Sequence, residues 1–411
     1  MKKKIILSNG FRNFHLFNTA NELKKRKLLA YFICGLYPTS IQKKIIKLSK
    51  VKNFKKITKY LQRDVTINDG LVFQNKVSEL INLIGIIIDN NFRLKKLSQL
   101  LIKFAINLYI KNSIKKLSVM ENNKYIYHFR SGYGGKSIEI AKKKGYLTIC
   151  DHSIVNPRIL ENLIQNKKAI PNNTNRINDI RMKMALYDIE RSDIILVNSD
   201  FVKKTFIGSK FYNKIKVSYL GVENSFLKKI KFKRKKNNNL KILFAGSIDI
   251  RKGIDDLNSI FNKIKNLNIE FNLAGPLNFK IKKKYKSFFN HKKVNYLGVL
   301  NKTELAKSMN LNDVFLFPSK AEGSARVIFE AMASGCTIIT TPNSGSIVKN
   351  NINGFIVKPN EPLKVYRIII KILKNPKILN FFSINNRKII KTNYLQKHYG
   401  DHLVKIYNFE L

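Results

Sequence analysis

The chain has no tryptophan and only three cysteines in 411 residues. Cys34, Cys150 and Cys336 are odd in number, far apart and without metal-ligand spacing, which argues against a disulfide framework and for a reducing cytoplasmic setting. Long apolar runs are missing too: the nearest candidate, Leu83 to Ile88, stops at Asp89, far short of the ~18 residues a membrane span needs. The start, Met1-Lys2-Lys3-Lys4 before Ile5-Ile6-Leu7, imitates a secretory signal. Its apolar part ends at Ser8-Asn9-Gly10, so it reads as a first strand and turn. No internal repeat is visible.

Acid is the scarcest chemistry. Against 78 Lys and Arg stand 26 Asp and Glu, a formal net charge of +52. Such a balance normally signals nucleic acid or an anionic surface. Here the positive charge is nearly all lysine, interleaved with core residues and joined by an excess of Asn and Ile, the pattern of A/T-rich codon drift. No nucleic-acid motif accompanies it, so no nucleic-acid partner is expected. The densest runs are Lys24-Lys25-Arg26-Lys27, Lys43-Lys44 with Lys55-Lys56, and Lys228 to Lys236. They would also suit docking on an anionic membrane surface, where each lysine contributes roughly 1 kcal/mol.

What is present is alternation. With 411 residues and 44% hydrophobic content, the chain can build two domains with proper cores. Residues 1–227 contain expected strands at Ile5–Leu7, Tyr125–Phe129, Tyr146–Cys150, Ile194–Val197 and Val217–Tyr219. Leu94, Leu97, Leu101, Phe104 and Leu108 recur at helical spacing and predict an amphipathic helix, and Ser199 or Asp200 should cap the helix after Val197. Residues 228–239, KKIKFKRKKNNN, are charged and aperiodic and read as a linker. From 240 to 392 strands and helices alternate again: Lys241–Ala245, Ile254–Lys265, Glu270–Ala274, Val294–Tyr296 and Lys302–Met309. Both halves therefore read as α/β domains with parallel sheets, ligands lying at the carboxyl ends of the strands.

The most specific run is Phe315 to Ser346, FLFPSKAEGSARVIFEAMASGCTIITTPNSGS. A strand from Val314 to Phe317 leads through Pro318-Ser319 into a helix expected near Ser324, stopped at Gly335 before a strand over Thr337–Thr340. Glu322 and Glu330 flank the helix N-terminus, where unpaired N–H groups favour a phosphate. The run P-S-x-x-E-G-x-x-x-x-x-x-E-A-x-A-x-G resembles the E-x7-E signature of the family-4 retaining glycosyltransferases. V-N-S-x-F-V-K followed by K-V-x-Y-L-G-V-E-N resembles the end of their N-terminal domain. The resemblance implies a GT-B fold, two Rossmann-like domains facing across a deep cleft, with residues 393–411 crossing back to the first domain.

It also implies roles. Arg251 and Lys252, before Gly253 and after the Gly246 turn, resemble the family's basic pair that meets the charge growing on a leaving diphosphate. Ser247 stands where the family usually has an Arg after the strand glycine, with Arg251 as the residue that would take that Arg's place, and Cys336 stands where Pro is common. Gly323, Ser324 and Ala325 would offer backbone amides to the diphosphate, Gly323 permitting close approach. Glu330 resembles the acceptor of ribose hydroxyls and Glu322 the residue holding the transferred sugar. His152 resembles a histidine of the N-terminal domain that faces the donor sugar, with Asp151 to orient it or act as base. By position alone Gly10, His15, Gly134 and Gly135 would line the cleft mouth. Plainer readings exist for each: solvated charges at a helix start, a structural histidine, ordinary turns.

The chain lacks the Asp-x-Asp pair by which the other large glycosyltransferase architecture binds metal. His398 and His402 have only Asp401 beside them. No cofactor or metal is therefore expected. The expected function is transfer of a sugar from a UDP-, GDP- or ADP-sugar donor to a glycan or lipid-linked acceptor of the cell envelope, in the cytoplasm or on the inner membrane face. The alternatives are a sugar-nucleotide epimerase and a non-catalytic nucleotide-sugar or polyanion-binding protein.

Overall fold

The computed structural model describes residues 3–12, 14–38, 67–92, 94–165, 180–227 and 239–408. Two parallel sheets organise them. The first contains β1 (Lys4–Ser8), β2 (Leu29–Cys34), β3 (Val72–Gln74), β4 (Tyr125–Arg130), β5 (Leu147–His152), β6 (Ile194–Val197) and β7 (Ile215–Val217), in the order β3-β2-β1-β4-β5-β6-β7. The second contains β8 (Leu240–Ala245), β9 (Ile269–Ala274), β10 (Val294–Gly298), β11 (Val314–Phe317), β12 (Thr337–Thr340) and β13 (Phe355–Ile356), in the order β10-β9-β8-β11-β12-β13. Helices cover both faces, so the strands read as continuous apolar runs rather than alternating ones. All four residues of β11 are buried, for example.

Strand order reverses between β1 and β4 and again between β8 and β11. At such switch points the loops diverge and leave a crevice at the carboxyl ends. Gly10 and Arg130 lie at the first reversal, and Gly246 with Pro318 to Glu322 at the second.

Several expectations are corrected. The predicted helix is real and runs from Lys95 to Ser118, but its buried side carries Ile102, Ala105, Ile106, Tyr109 and Ile110. Leu94, Leu97 and Phe104 are exposed. The helix has apolar residues on more than one face, and the sheet selects the face on which Tyr109 reaches Ser8 Oγ at 2.8 Å and Ile33 O at 3.1 Å. The helix expected near Ser324 begins at Arg326, and β7 lies two residues earlier than the predicted strand. The linker reading falls on residues 228–238, which lie outside the described residues, as do Lys43, Lys44, Lys55 and Lys56.

After the helix Lys377–Asn393, whose Phe382 and Ile390 join the core of the second sheet, the chain passes Leu395 and enters the helix Gln396–Asn408. Tyr399, Leu403, Ile406 and Tyr407 belong to the core of the first sheet. Tyr399 Oη lies 2.7 Å from Thr19 Oγ1 and Tyr407 Oη 2.8 Å from His128 Nδ1. At the start of this crossing the packing is close: a Cβ on Gly221 would stand 2.4 Å from the Gln396 Cα.

Candidate active site

Two cavities meet at Glu322. The larger, about 430 Å³, lies between the sheets, lined from the first by Arg12, Arg130, Asp151, His152 and Arg181 and from the second by Arg251, Glu322 and Gly323. The second, about 360 Å³, lies within the C-terminal half and is lined by Gly246, Lys252, Pro276, Ser324, Ala325 and Glu330 among others. Val299, Leu300 and Leu305 give it an apolar wall.

Glu322 is buried at the end of the loop after β11, a position in which an isolated carboxylate would be costly. Three donors converge on its Oε1: Arg251 Nη1 at 2.5 Å, Lys252 Nζ at 2.6 Å and Ser319 Oγ at 3.0 Å. Arg251 Nη1 also donates to Ala321 O at 2.8 Å. Burial holds the Lys252 ammonium below its usual value, with the Glu322 charge offsetting part of that. Backbone geometry makes the grouping possible. Gly253 has φ of +85°, and a Cβ there would stand 2.1 Å from Pro318 O, so the β8 loop packs directly on the β11 loop only because the residue is glycine.

Ser247 does not replace the missing arginine. Its Oγ donates to Asp249 Oδ2 at 2.7 Å, and Asp249 Oδ1 accepts from the Lys252 N–H at 2.9 Å. The serine thus braces the turn that presents Arg251 and Lys252. Cys336 is core, its Sγ 3.1 Å from Met309 O.

Glu330, on the helix Arg326–Ser334, is held differently. Its Oε1 lies 3.2 Å from Arg326 Nε. Burial pushes its carboxyl up to about 7, and nearby Glu223 adds to the rise, while Arg326 and Lys302 oppose it. Arg326 in turn lies 3.4 Å from Glu223, and Lys302 is 2.9 Å from that carboxylate. Arg326, Glu223 and Lys302 were not singled out in the sequence, although the i,i+4 spacing of Arg326 and Glu330 was a usable signal.

Not every expected amide is available. The Ala325 N–H already donates to Ser344 O at 2.9 Å, which removes it from any diphosphate grip. At Ser324 it is the side chain, not the expected amide, that stands out: its Oγ is buried without a hydrogen-bond partner among the described residues, beside the second cavity. Gly323 is crowded, since a Cβ there would stand 1.8 Å from Ser153 O, and its carbonyl accepts from Ser199 Oγ at 2.5 Å. This is a direct contact between the two halves.

On the other wall, His152 is buried at the end of β5, its Nδ1 3.0 Å from Ser131 Oγ and its Nε2 3.4 Å from Val155 O. Burial lowers its pKa to about 4, so the imidazole is neutral at pH 7. Asp151 does not orient it. Neighbours on a strand point to opposite faces, and Asp151 Oδ2 is taken by His15 Nε2 at 2.9 Å and His128 Nε2 at 3.3 Å. Burial favours its neutral form, but the two histidines outweigh that and hold the carboxyl below its usual range. His128, missed in the sequence, links this cluster to Tyr407 of the returning helix.

Gly134 and Gly135 also turn out otherwise. Their amides donate to Asp188 at 2.9 Å and 2.7 Å, as does that of Gly132 at 2.7 Å, so this turn encloses an internal carboxylate instead of lining the mouth. Burial raises that carboxyl to about 6 against these bonds. Gly10, with φ of +72°, stands where a Cβ would lie 2.6 Å from the Tyr133 ring, and its amide donates to Tyr109 Oη at 3.0 Å.

Comparison with known proteins bears on the C-terminal half and on the fold. Residues 226–389 match the family described as glycosyl transferases group 1. Relatives of this glycosyltransferase-like chain include an uncharacterized glycosyltransferase of Methanocaldococcus jannaschii, 25% identical over 51% of this chain and 58% of that one. The capsular polysaccharide biosynthesis glycosyltransferase CapM of Staphylococcus aureus is 25% identical over 52% and 58%. The chain thus spans little more than half the length of these relatives. Solved structures align along nearly its whole length: HepE of Anabaena in complex with UDP and glucose, with a TM-score of 0.64, 13% identity and coverage of 98% and 99%, and sucrose-phosphate synthase from Thermosynechococcus elongatus, with 0.68, 11%, 99% and 99%. The fold is the GT-B architecture of two Rossmann-like domains.

Proposed function

We propose that the protein is a metal-independent, retaining glycosyltransferase that moves one sugar from a nucleotide-sugar donor to a glycan or lipid-linked acceptor in cell-envelope polysaccharide synthesis. The observation that carries this reading is the meeting of the two cavities at Glu322. A nucleotide in the C-terminal cavity, its ribose on Glu330 and its base against Val299 and Leu300, would bring its sugar to Glu322, opposite His152. With its three donors all on Oε1, Glu322 keeps Oε2 for a sugar hydroxyl. Arg251, Lys252 and the N-terminus of the helix Arg326–Ser334 meet the charge on the departing diphosphate.

Retention is supported by the lack of a poised base among the described residues of the interdomain cavity. The carboxylates of the interdomain cavity are Asp151 and Glu322, both engaged by cations or imidazoles, and His152 has a pKa of about 4. The acceptor oxygen then attacks the anomeric carbon from the side on which the diphosphate leaves. The new C–O bond forms as the sugar–phosphate bond breaks, its electron pair goes to the phosphate oxygen, and that oxygen takes the acceptor proton. UDP is the first nucleotide to test, because HepE was solved with it. An exposed apolar stripe, Val77, Leu80, Ile84, Leu97 and Phe104, favours a membrane-surface location for the acceptor.

The test is turnover of a UDP-, GDP- and ADP-sugar panel by wild type and Glu322→Ala. Transfer lost with nucleotide affinity retained is the expected result. Conversion of the donor without transfer would point to an epimerase, and indifference to the substitution to a binding protein.

A further inference from the structure

Among the described residues the cavity between the sheets is lined by four cations, Arg12, Arg130, Arg181 and Arg251, and by no lysine. The chain as a whole holds 64 lysines and 14 arginines, a pool from which four arginines together are a rare draw. Codon drift toward lysine would not by itself gather arginines in this cavity. Arginine differs from lysine in offering a planar fork that meets carboxylate or phosphate through two hydrogen bonds.

The local chemistry is anion-seeking. The two carboxylates of the cavity are already engaged, Asp151 by His15 and His128 and Glu322 by Arg251 and Lys252. Arg12 and Arg130 form no ion pair among the described residues. Arg130 is held rigidly: its guanidinium lies 4.0 Å from the Phe14 ring centre and 5.2 Å from that of Tyr133, and Nη1 donates to Phe11 O at 2.9 Å. Arg181 Nη2 donates to Asn82 Oδ1 at 3.4 Å. Burial disfavours the charged form of Arg130 and outweighs the support of Tyr133 and Asp151, with the like charge of Arg181 adding to it, an arrangement that a bound anion relieves.

We propose that the acceptor carries an anionic group, a phosphate or a carboxylate, seated on Arg12, Arg130 and Arg181 while its hydroxyl faces the donor sugar at Glu322. This rests on the transfer reaction proposed above. The test is binding of three size-matched disaccharides, neutral, uronic-acid-containing and phosphorylated, to the full chain at about 0.15 M salt, where exposed charges are screened. The expected result is at least ~10-fold tighter binding of an anionic probe, lost in Arg12→Ala/Arg181→Ala and kept in Lys282→Ala/Lys283→Ala, which removes equal charge from an exposed helix. Preference for one anionic probe identifies phosphate or carboxylate as the group recognised. Equal affinity for neutral and anionic probes, or equal loss in both double variants, overturns the proposal. Nucleotide release from a UDP-, GDP- and ADP-sugar panel is measured separately. Donor turnover without anionic preference defeats this inference alone, whereas anionic preference without turnover of any of these donors defeats the transfer reading.

Discussion

The donor wall takes Arg251, Lys252, Ser319, Glu322, Arg326 and Glu330 from two loops and the helix that follows the second. The opposite wall takes Arg12, Arg130, Asp151, His152 and Arg181 from the ends of three strands and from the helix Ile180–Arg191. The first joins two short loops, each legible in its own stretch of chain, that the pairing of β8 with β11 and the presence of Gly253 set side by side. The second exists only once a seven-stranded sheet has brought distant strand ends side by side. The donor wall carries its carboxylates on cations, while the acceptor wall carries cations with their carboxylates engaged elsewhere.

The sharpest way to break this contrast is Glu322→Ala, for which we expect transfer to fall by about 10²–10³-fold while nucleotide affinity, by calorimetry, changes little. Equal loss of both would make Glu322 part of the general nucleotide site. The acceptor wall is probed next by acid. His152 has its folded pKa depressed to about 4 from an ordinary 6.5, so its contribution is fully present above pH 6.5 and is lost as pH falls toward 4. That loss should be on the order of 2–3 kcal/mol, and His152→Gln should flatten it in denaturant titrations. An unchanged acid limb would show the imidazole to be solvated.

Gly253→Ala tests whether the donor turn depends on backbone approach. With φ of +85° and Pro318 O at 2.1 Å from the new Cβ, it should cost about 1–3 kcal/mol, read as a lowered melting temperature. Glu330 supplies a finer contrast. Its folded pKa is raised to about 7 from 4.5, so its contribution to stability is present below pH 4.5 and lost as pH rises through 7. A ribose-bound nucleotide prefers the ionised form, so nucleotide affinity should rise by up to ~10-fold between pH 6 and 8, and Glu330→Gln should remove that rise. The smallest effect belongs to the exposed stripe: Phe104→Glu should weaken co-sedimentation with anionic vesicles by about threefold, and salt-insensitive or absent wild-type binding would end the membrane reading.

Legibility followed contact range. β11, Gly335 and β12 were read to the residue because an apolar run, a helix and a glycine stop lie next to one another in the chain. Of the two expected caps, Ser199 and Asp200, it is Ser199 whose Oγ accepts the Val202 N–H at 3.2 Å. The outward face of the helix Lys95–Ser118 was misread, because two apolar stripes compete and only the sheet chooses between them. The Asp151–His15–His128 cluster was out of reach for a related reason: strand alternation separates Asp151 from its neighbour His152 and sends it to partners on β4 and on the helix start after β1.

By itself the sequence determined the alternation that makes two parallel α/β halves, the glutamate pair, and the basic turn before Gly253, since each depends on neighbours within a few turns of chain. The tertiary structure decided which amides remain for a ligand, which carboxylates are already held, and that four arginines gather in the interdomain cavity. Those outcomes depend on which strand ends adjoin at the two sheet reversals. Burial there, rather than residue type, sets whether a charge must find its partner in the protein or in a ligand.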